Sequence, residues 1–286
     1  MNGNWKKFFA LALALILMFT AFVGCEEKTD DDAEPTKDSV SQTDVKNDTT
    51  HSNKEDEPVK STGITSKEDF VATMEELLDL SLYMDLNESD NNGLFDSFSY
   101  TLDYENRKEY DLDYNIRLDD GSEFTLPILV SDFEKKGWTM PESNHPDNQL
   151  SSGYMTSSYF ENSQGKELSC DVYNHRDYAT AKKNGMVVEI RASHYSTYDD
   201  KIRESAVGFT VCDTLTEEAT LEDIIARLGN PTMVFCTVNY NDDGSFKKSQ
   251  ITIEYAQESS AYSCLRFNLS GDKGYIISME YSADAR

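Results

Sequence analysis

Three runs near the end of the chain alternate so strictly that they leave little freedom of fold. Ile251-Thr252-Ile253-Glu254-Tyr255, Leu265-Arg266-Phe267-Asn268-Leu269 and Ile277-Ser278-Met279-Glu280-Tyr281 each place an apolar residue at every second position. Successive side chains of a strand point to opposite faces, so each run has one face to bury and one to show to water. A helix built from the same residues would scatter them around its circumference. Asn241-Asp242-Asp243-Gly244 and Gly271-Asp272-Lys273-Gly274 supply turns, rich in residues that tolerate turn backbones. Four antiparallel strands are therefore expected: Met233–Tyr240, Ser249–Ala256, Tyr262–Leu269 and Tyr275–Ser282. A helix to cover their apolar face precedes them. Thr220 caps Leu221–Leu228, Asp223 completes a capping box, Gly229 ends the helix and Pro231 prevents its continuation,.

Upstream the pattern is less uniform. Ser66 and Asp69 form a capping-box-like pair ahead of Phe70, Met74, Leu77, Leu78, Ser81 and Leu82. That spacing predicts a helix from Lys67 to about Met84, with its apolar stripe packed in a core. Phe98, Tyr100 and Leu102 alternate with polar residues, as do Tyr110, Leu112, Tyr114, Ile116 and Leu118. Asp119-Asp120-Gly121-Ser122 is a hairpin turn leading to Phe124 and Leu126,. Ser131 to Gly137 reads as a short helix with Ser131 and Glu134 as cap partners, followed by Trp138 as a core anchor,. Further strands are expected over Tyr154–Glu161, Leu168–Asn174 and Met186–Ala192. The fold class is thus α+β. Two lobes are expected, 66–210 and 211–286, each a helix or helical hairpin packed on an antiparallel sheet.

The stretch Thr220–Thr232, together with the three alternating runs, resembles the repeat of β-lactamase-inhibitor-protein-like and small outer-membrane-assembly lipoproteins. Leu126-Pro127, Val130-Ser131-Asp132-Phe133 and Gly137-Trp138-Thr139 also resemble surface lipoproteins of Gram-positive bacteria that carry an analogous unit first. The resemblance covers roughly Ser122 to Tyr281, and Lys67–Leu118 stays outside it. It implies a helical hairpin on a sheet of three or four antiparallel strands. It carries no catalytic residue over, because that fold group has no common active site.

The N-terminus reads as an export signal over 1–24. Lys6 and Lys7 precede an uncharged run from Phe8 to Val23, short for a membrane span and flanked as a signal peptide is. An uncleaved anchor is the alternative. Phe22-Val23-Gly24-Cys25 resembles the lipobox of bacterial lipoproteins, with Phe22 where Leu is commoner. The resemblance implies cleavage between Gly24 and Cys25 and a diacylglyceryl thioether on the Cys25 sulfur. Two acyl chains anchor stably where one does not. Glu26 to Ser66 follows with twelve acids, five bases and no aromatic residue. Such a segment cannot bury enough apolar surface to offset its ordering entropy, so 25–65 is expected to be a disordered acidic linker. As a coil it would span about 35–40 Å. The location expected is the extracytoplasmic face of the cell membrane.

The formal net charge is −27, and removal of 1–24 makes it −29. This argues against nucleic acid and against adhesion to anionic headgroups, leaving the lipid on Cys25 as the membrane attachment. The four further cysteines, Cys170, Cys212, Cys236 and Cys264, form an even set that permits disulfides in an exported protein,. Their spacings match no zinc pattern, and no pairing is predicted. Strand parity places Cys170 inward and Cys264 outward.

Motifs for chemistry are sparse. Oxygen side chains alternate from Asp85 to Asp96, resembling a calcium loop, but Asp90 stands where glycine is needed and no second helix follows,. A polar helix-to-strand loop is the better reading. His51, His145, His175 and His194 match no metal or nucleophile pattern,. Ser270-Gly271-Asp272-Lys273 matches Ser-x-x-Lys only formally, since it lies in a turn between strands,. No motif calls for a cofactor or metal. Tyr154, Tyr159, Tyr173, Tyr195 and Tyr198 are either ordinary strand residues or an aromatic binding surface on a sheet face or rim. The function expected is recognition, inhibition or scaffolding of an envelope protein partner without catalysis. The alternative is an envelope enzyme or accessory subunit acting on cell-wall or sugar substrates, favoured by a pocket gathering two carboxylates or His175 with an acid.

Overall fold

A computed structural model describes residues 63–89, 94–107, 110, 115–194, 203, 205–257 and 263–284. Gly24, Cys25, the signal segment, His51 and nearly all of the linker lie outside the described residues, as do Tyr195 and Tyr198.

The architecture is α+β with antiparallel sheets and a few helices. The elements run α1 (Lys67–Leu77), β1 (Tyr83–Ser89), β2 (Phe95–Leu102), β3 (Asn115–Leu118), β4 (Glu123–Thr125), β5 (Ile128–Leu129) and α2 (Val130–Lys135). Then come β6 (Gln149–Leu150), β7 (Met155–Glu161), β8 (Glu167–Tyr173), β9 (Thr180–Ala181) and β10 (Met186–Ser193). The last part holds β11 (Phe209–Val211), β12 (Leu215–Thr216), α3 (Leu221–Leu228), β13 (Met233–Tyr240), β14 (Phe246–Ala256), β15 (Cys264–Ser270) and β16 (Ile276–Ser282). A ten-stranded sheet follows the order β1-β2-β13-β14-β15-β16-β10-β8-β7, with β5 also paired to β10. Strands from 66–210 and from 211–286 share it, for β2 pairs with β13 and β10 with β16. A four-stranded sheet runs β12-β11-β3-β4.

Alternation explains the buried face. Val234, Cys236, Val238, Ile251, Ile253, Tyr255, Leu265, Phe267 and Leu269 are fully buried. The helices meet this layer with aromatics. Phe70 of α1 stacks on Phe98 and Tyr100 of β2, with ring centroids 6.1 and 5.6 Å away. Phe133 of α2 meets Phe124 of β4 at 4.4 Å and Phe160 of β7 at 4.9 Å. Each such buried ring stabilises the fold by about 2–3 kcal/mol. Trp138 is fully buried, and its indole N–H donates to Ser122 Oγ at 2.9 Å. The α3 capping box forms as expected. Beyond its C-terminus the hydroxyls of Tyr255, Tyr110 and Tyr83 donate to the carbonyls of Gly229, Asn230 and Pro231 respectively.

Several expectations are corrected. The first helix stops at Leu77 rather than near Met84, because Tyr83–Ser89 pairs with Phe95–Leu102 and strand pairing overrides the helical spacing. Asp85–Ser89 and Phe95–Asp96 are therefore hairpin strands, not a helix-to-strand loop; 90–93 lie outside the described residues. The short helix begins at Val130 with Leu129 at the cap position, so Ser131 and Glu134 do not form a cap pair there. Of the run Tyr110–Leu118, Asn115–Leu118 is strand, and 111–114 lie outside the described residues. The four cysteines Cys170, Cys212, Cys236 and Cys264, for which no pairing is predicted, carry free thiols.

Candidate functional site

Directly paired residues of neighbouring strands share a face, so the outward side chains of the large sheet fall into cross-strand rows. One row crosses the whole path: Met84, Thr101, Met233, Glu254, Arg266, Glu280, Arg191, Ser169 and Tyr159. Charges alternate in its middle. Arg266 donates to Glu254 at 2.6 Å and to Glu280 at 2.8 Å. Arg191 donates to Asp171 at 3.1 Å and also pairs with Glu189. In the adjoining row Thr252 donates to Asn268 at 2.8 Å, and Asn268 donates to Ser278 at 3.0 Å. These groups satisfy one another, so this half of the face has little left to offer a ligand.

Glu189 departs from that balance. It stands directly opposite Asp171 across β10 and β8. Burial, reinforced by Asp171 and Glu280, outweighs the pull of Arg191 and pushes its carboxyl up to about 7. Burial opposes the charge on Arg266, but Glu254, with Cys264 and Glu280, prevails and raises its pKa. Burial likewise pushes the Cys264 thiol up to about 11 and the Cys236 thiol up to about 12, and raises Cys170. Thiols in this state are poor nucleophiles.

Two depressions adjoin these elements. One of about 300 Å³ is lined by Tyr159, Glu167, Ser169, Arg191, Ser193, Arg203 and Ser205, with a single carboxylate. A more open groove of about 510 Å³ lies beside α3 and includes Glu218 and Asp223. Two of its polar groups are already engaged: Asp223 accepts from Thr220 in the capping box, and Arg227 donates to the Cys212 carbonyl.

At the β5–β10–β8–β7 end one row of the outward face is apolar. A bulge between Val187 and Glu189 turns Met186 outward on β10, although simple alternation puts it with buried Ile190,. The result is a row across four strands: Leu129 of β5, Met186 of β10, Tyr173 of β8 and Met155 of β7. Met155 is 48% exposed and Leu129 37%. At the rim Tyr154 and Tyr178 are 66% and 56% exposed. Asn174 holds both loops in place. Fully buried, it donates through Nδ2 to the carbonyls of Leu150, Ser151 and Tyr178, and its backbone N–H donates to the Tyr154 carbonyl. Its Oδ1 accepts from the Arg176 backbone. The Arg176 guanidinium lies 5.7 Å from the Tyr178 ring and donates to its hydroxyl at 3.0 Å. Rigid, exposed aromatic rings with their ordering entropy already lost are the usual anchors of protein interfaces.

Of the tyrosines singled out from the sequence, Tyr154 lies at the rim, and Tyr159 and Tyr173 stand half-buried on the outward face. The histidines are not gathered: His145 ends a turn after Asn144, His175 is exposed in the loop after β8, and His194 follows β10. The Ser270 hydroxyl donates to Asp272 at 2.9 Å and braces its turn. Reasoning from sequence missed Met155, Met186, Leu129 and Asn174. Alternation places Met155 with Ser157 and Tyr159, away from buried Phe160, but puts Met186 with Ile190, and the bulge that turns Met186 outward has no glycine to announce it.

The chain matches no family model, no curated protein and no solved structure. Among the described residues no group of three or more His, Cys, Asp or Glu is placed to hold a metal ion. No helix among them is long and apolar enough to cross a membrane.

Proposed function

We propose that this chain is a lipid-anchored, extracytoplasmic binding protein that recognises an envelope protein through the β5–β10–β8–β7 end of its large sheet. The single observation that carries the recognition part is the row Leu129, Met186, Tyr173 and Met155, left on the outward face and flanked by Tyr154 and Tyr178. Apolar rows of this kind on a sheet face mark interaction sites, because a lone domain gains by covering them. The anchor part rests on the lipobox-like Phe22-Val23-Gly24-Cys25. In this reading 66–210 and 211–286 are two helix-on-sheet units of the β-lactamase-inhibitor-protein-like kind that share one sheet, with strands of 66–210 on both flanks of those of 211–286. The protein body, at −29 after cleavage, has no affinity of its own for an anionic surface,.

The test places a photo-crosslinking residue at Tyr154 or Tyr178 of the full chain in its membrane, with Tyr104, exposed elsewhere, as control. A defined adduct from the first two positions alone is expected; equal labelling from Tyr104 would sink the reading. Cys25→Ala is expected to release the chain or leave the precursor unprocessed, and unchanged retention and processing would remove the anchor.

One observation favours the enzyme alternative: Glu189, whose carboxyl burial pushes up to about 7, stands directly opposite the Asp171 carboxyl. Such pairs serve acid–base chemistry. Here both share Arg191 and neither lines the adjacent depression, so an ion-pair network fits them better.

A further inference from the structure

β7 ends the large sheet, and only part of its free edge is occupied. The N–H and C=O of Glu161 both bond to Thr139 at 2.9 Å, and Asn144 Nδ2 donates to the Tyr159 carbonyl at 3.0 Å. Odd-numbered residues of β7 therefore turn their backbone groups away from β8. By the two-residue period, the N–H and C=O of Met155 and Ser157 point the same way, as does the N–H of Tyr159. None of these groups has a backbone partner outside the sheet ladders among the described residues, and Met155 and Ser157 are exposed. Edge strands are usually blunted by proline, lysine or a bulge. Met155–Glu161 contains neither residue, and its pairing with β8 runs without a register shift.

We propose that this open stretch of β7 receives an extended basic segment of the partner protein as an added strand. A large apolar residue of that segment packs against Met155, and a lysine or arginine two positions away stands opposite Ser157. The proposal rests on the binding reading above and specifies the partner. Main-chain bonds to the edge supply affinity and the outward rows supply selectivity. One row already runs Leu129, Met186, Tyr173, Met155, and the added strand lengthens it by one apolar side chain. The next row runs Glu189, Asp171, Ser157. Its two carboxylates share the one guanidinium of Arg191, and Ser157 Oγ donates to Asp171 at 2.7 Å. An incoming cation opposite Ser157 faces a row that carries one negative charge beyond Arg191 whenever Glu189 is ionised, on a chain of strongly negative net charge,. A second copy of the chain is the wrong occupant on the same ground, since each copy carries −27,.

The full-length chain is titrated with a short synthetic peptide alternating threonine with valine and lysine, and with the same peptide carrying glutamate for lysine. Saturable binding of the lysine peptide is expected, at least about tenfold tighter than the glutamate peptide. Amide exchange at Met155, Ser157 and Tyr159 should slow on binding. Ser157→Pro removes an outward N–H while sparing the β8 ladder and should weaken binding by about tenfold. Should that variant fail to fold, amide exchange in the native chain decides. Binding that survives Ser157→Pro with unchanged exchange overturns strand addition. If that binding is also lost in Met155→Asp, the face reading stands alone. Absence of peptide binding, with crosslinking at Tyr154 retained, has the same meaning. Self-association abolished by Ser157→Pro overturns the basic partner in favour of a second copy.

Discussion

On the outward face of the large sheet the polar rows across β14, β15 and β16 satisfy one another, as do Arg191, Asp171 and Glu189 of β10 and β8, whereas the single row Leu129, Met186, Tyr173, Met155 across β5, β10, β8 and β7 is apolar and has no polar closure. The first region holds Arg266 between Glu254 and Glu280, beside the Thr252–Asn268–Ser278 row. The second carries the row Leu129, Met186, Tyr173 and Met155, exposed at its two ends and half-buried at Met186 and Tyr173. Both are parts of one sheet with one buried face, so backbone pairing does not separate them. The difference teaches that a sheet face can be closed by its own polar side chains or left for a partner to close.

The largest effect is expected at Asn174, which organises the second region. Asn174→Ala removes a fully buried side chain and its hydrogen bonds to the Leu150, Ser151 and Tyr178 carbonyls and the Arg176 N–H, and should cost about 2–3 kcal/mol in denaturant unfolding,. It should also release Tyr154 and Tyr178, seen as faster amide exchange in both loops. Equal stability of the variant would mean that the loops hold themselves.

Glu189, at the seam between the regions, comes next. Its folded pKa is raised from 4.5 to about 7 by burial. Between those values the folded chain keeps a proton that the unfolded chain has released, so stability falls as pH rises through that window. Glu189→Gln removes this penalty. At pH 8 it should stabilise by about 2 kcal/mol and flatten the stability profile between those values, with little change below them. A variant less stable than the parent at pH 8 would show that Arg191 governs the site.

A smaller effect is expected in the closed region. Arg266→Met leaves Glu254 and Glu280 without their cation and should destabilise by about 1–2 kcal/mol at neutral pH, discounted for partial exposure. Peptide or partner binding should be unchanged. Loss of binding would erase the distinction between the two halves. The smallest effect on stability belongs to Met155→Asp, within about 0.5 kcal/mol for an exposed position. Yet this change should abolish partner crosslinking, and its failure to do so would move the contact elsewhere.

Much of the scaffold was legible in the residues themselves. The α3 capping box, the closing strands and the inward parity of Cys170 all follow from local chemistry. The end of α1 was not legible, because Leu78, Ser81 and Leu82 continue a helical spacing that strand pairing of Tyr83–Ser89 overrides. The candidate site was barely legible. Alternation assigns Met186 to the core, and only the bulge after Val187 turns it outward beside Tyr173.

Read alone, the residues assign α3, the closing strands and the apolar face of those strands, since spacing and capping act within a few residues. The sequence also carries the lipobox-like segment and the acidic balance, which are properties of composition and order. The tertiary structure decided how strands from both halves join into one sheet, where β7 is left at the edge, and which apolar side chains stay uncovered. Those outcomes depend on pairing between residues far apart in the chain, where register and a single inserted residue set the face each side chain takes.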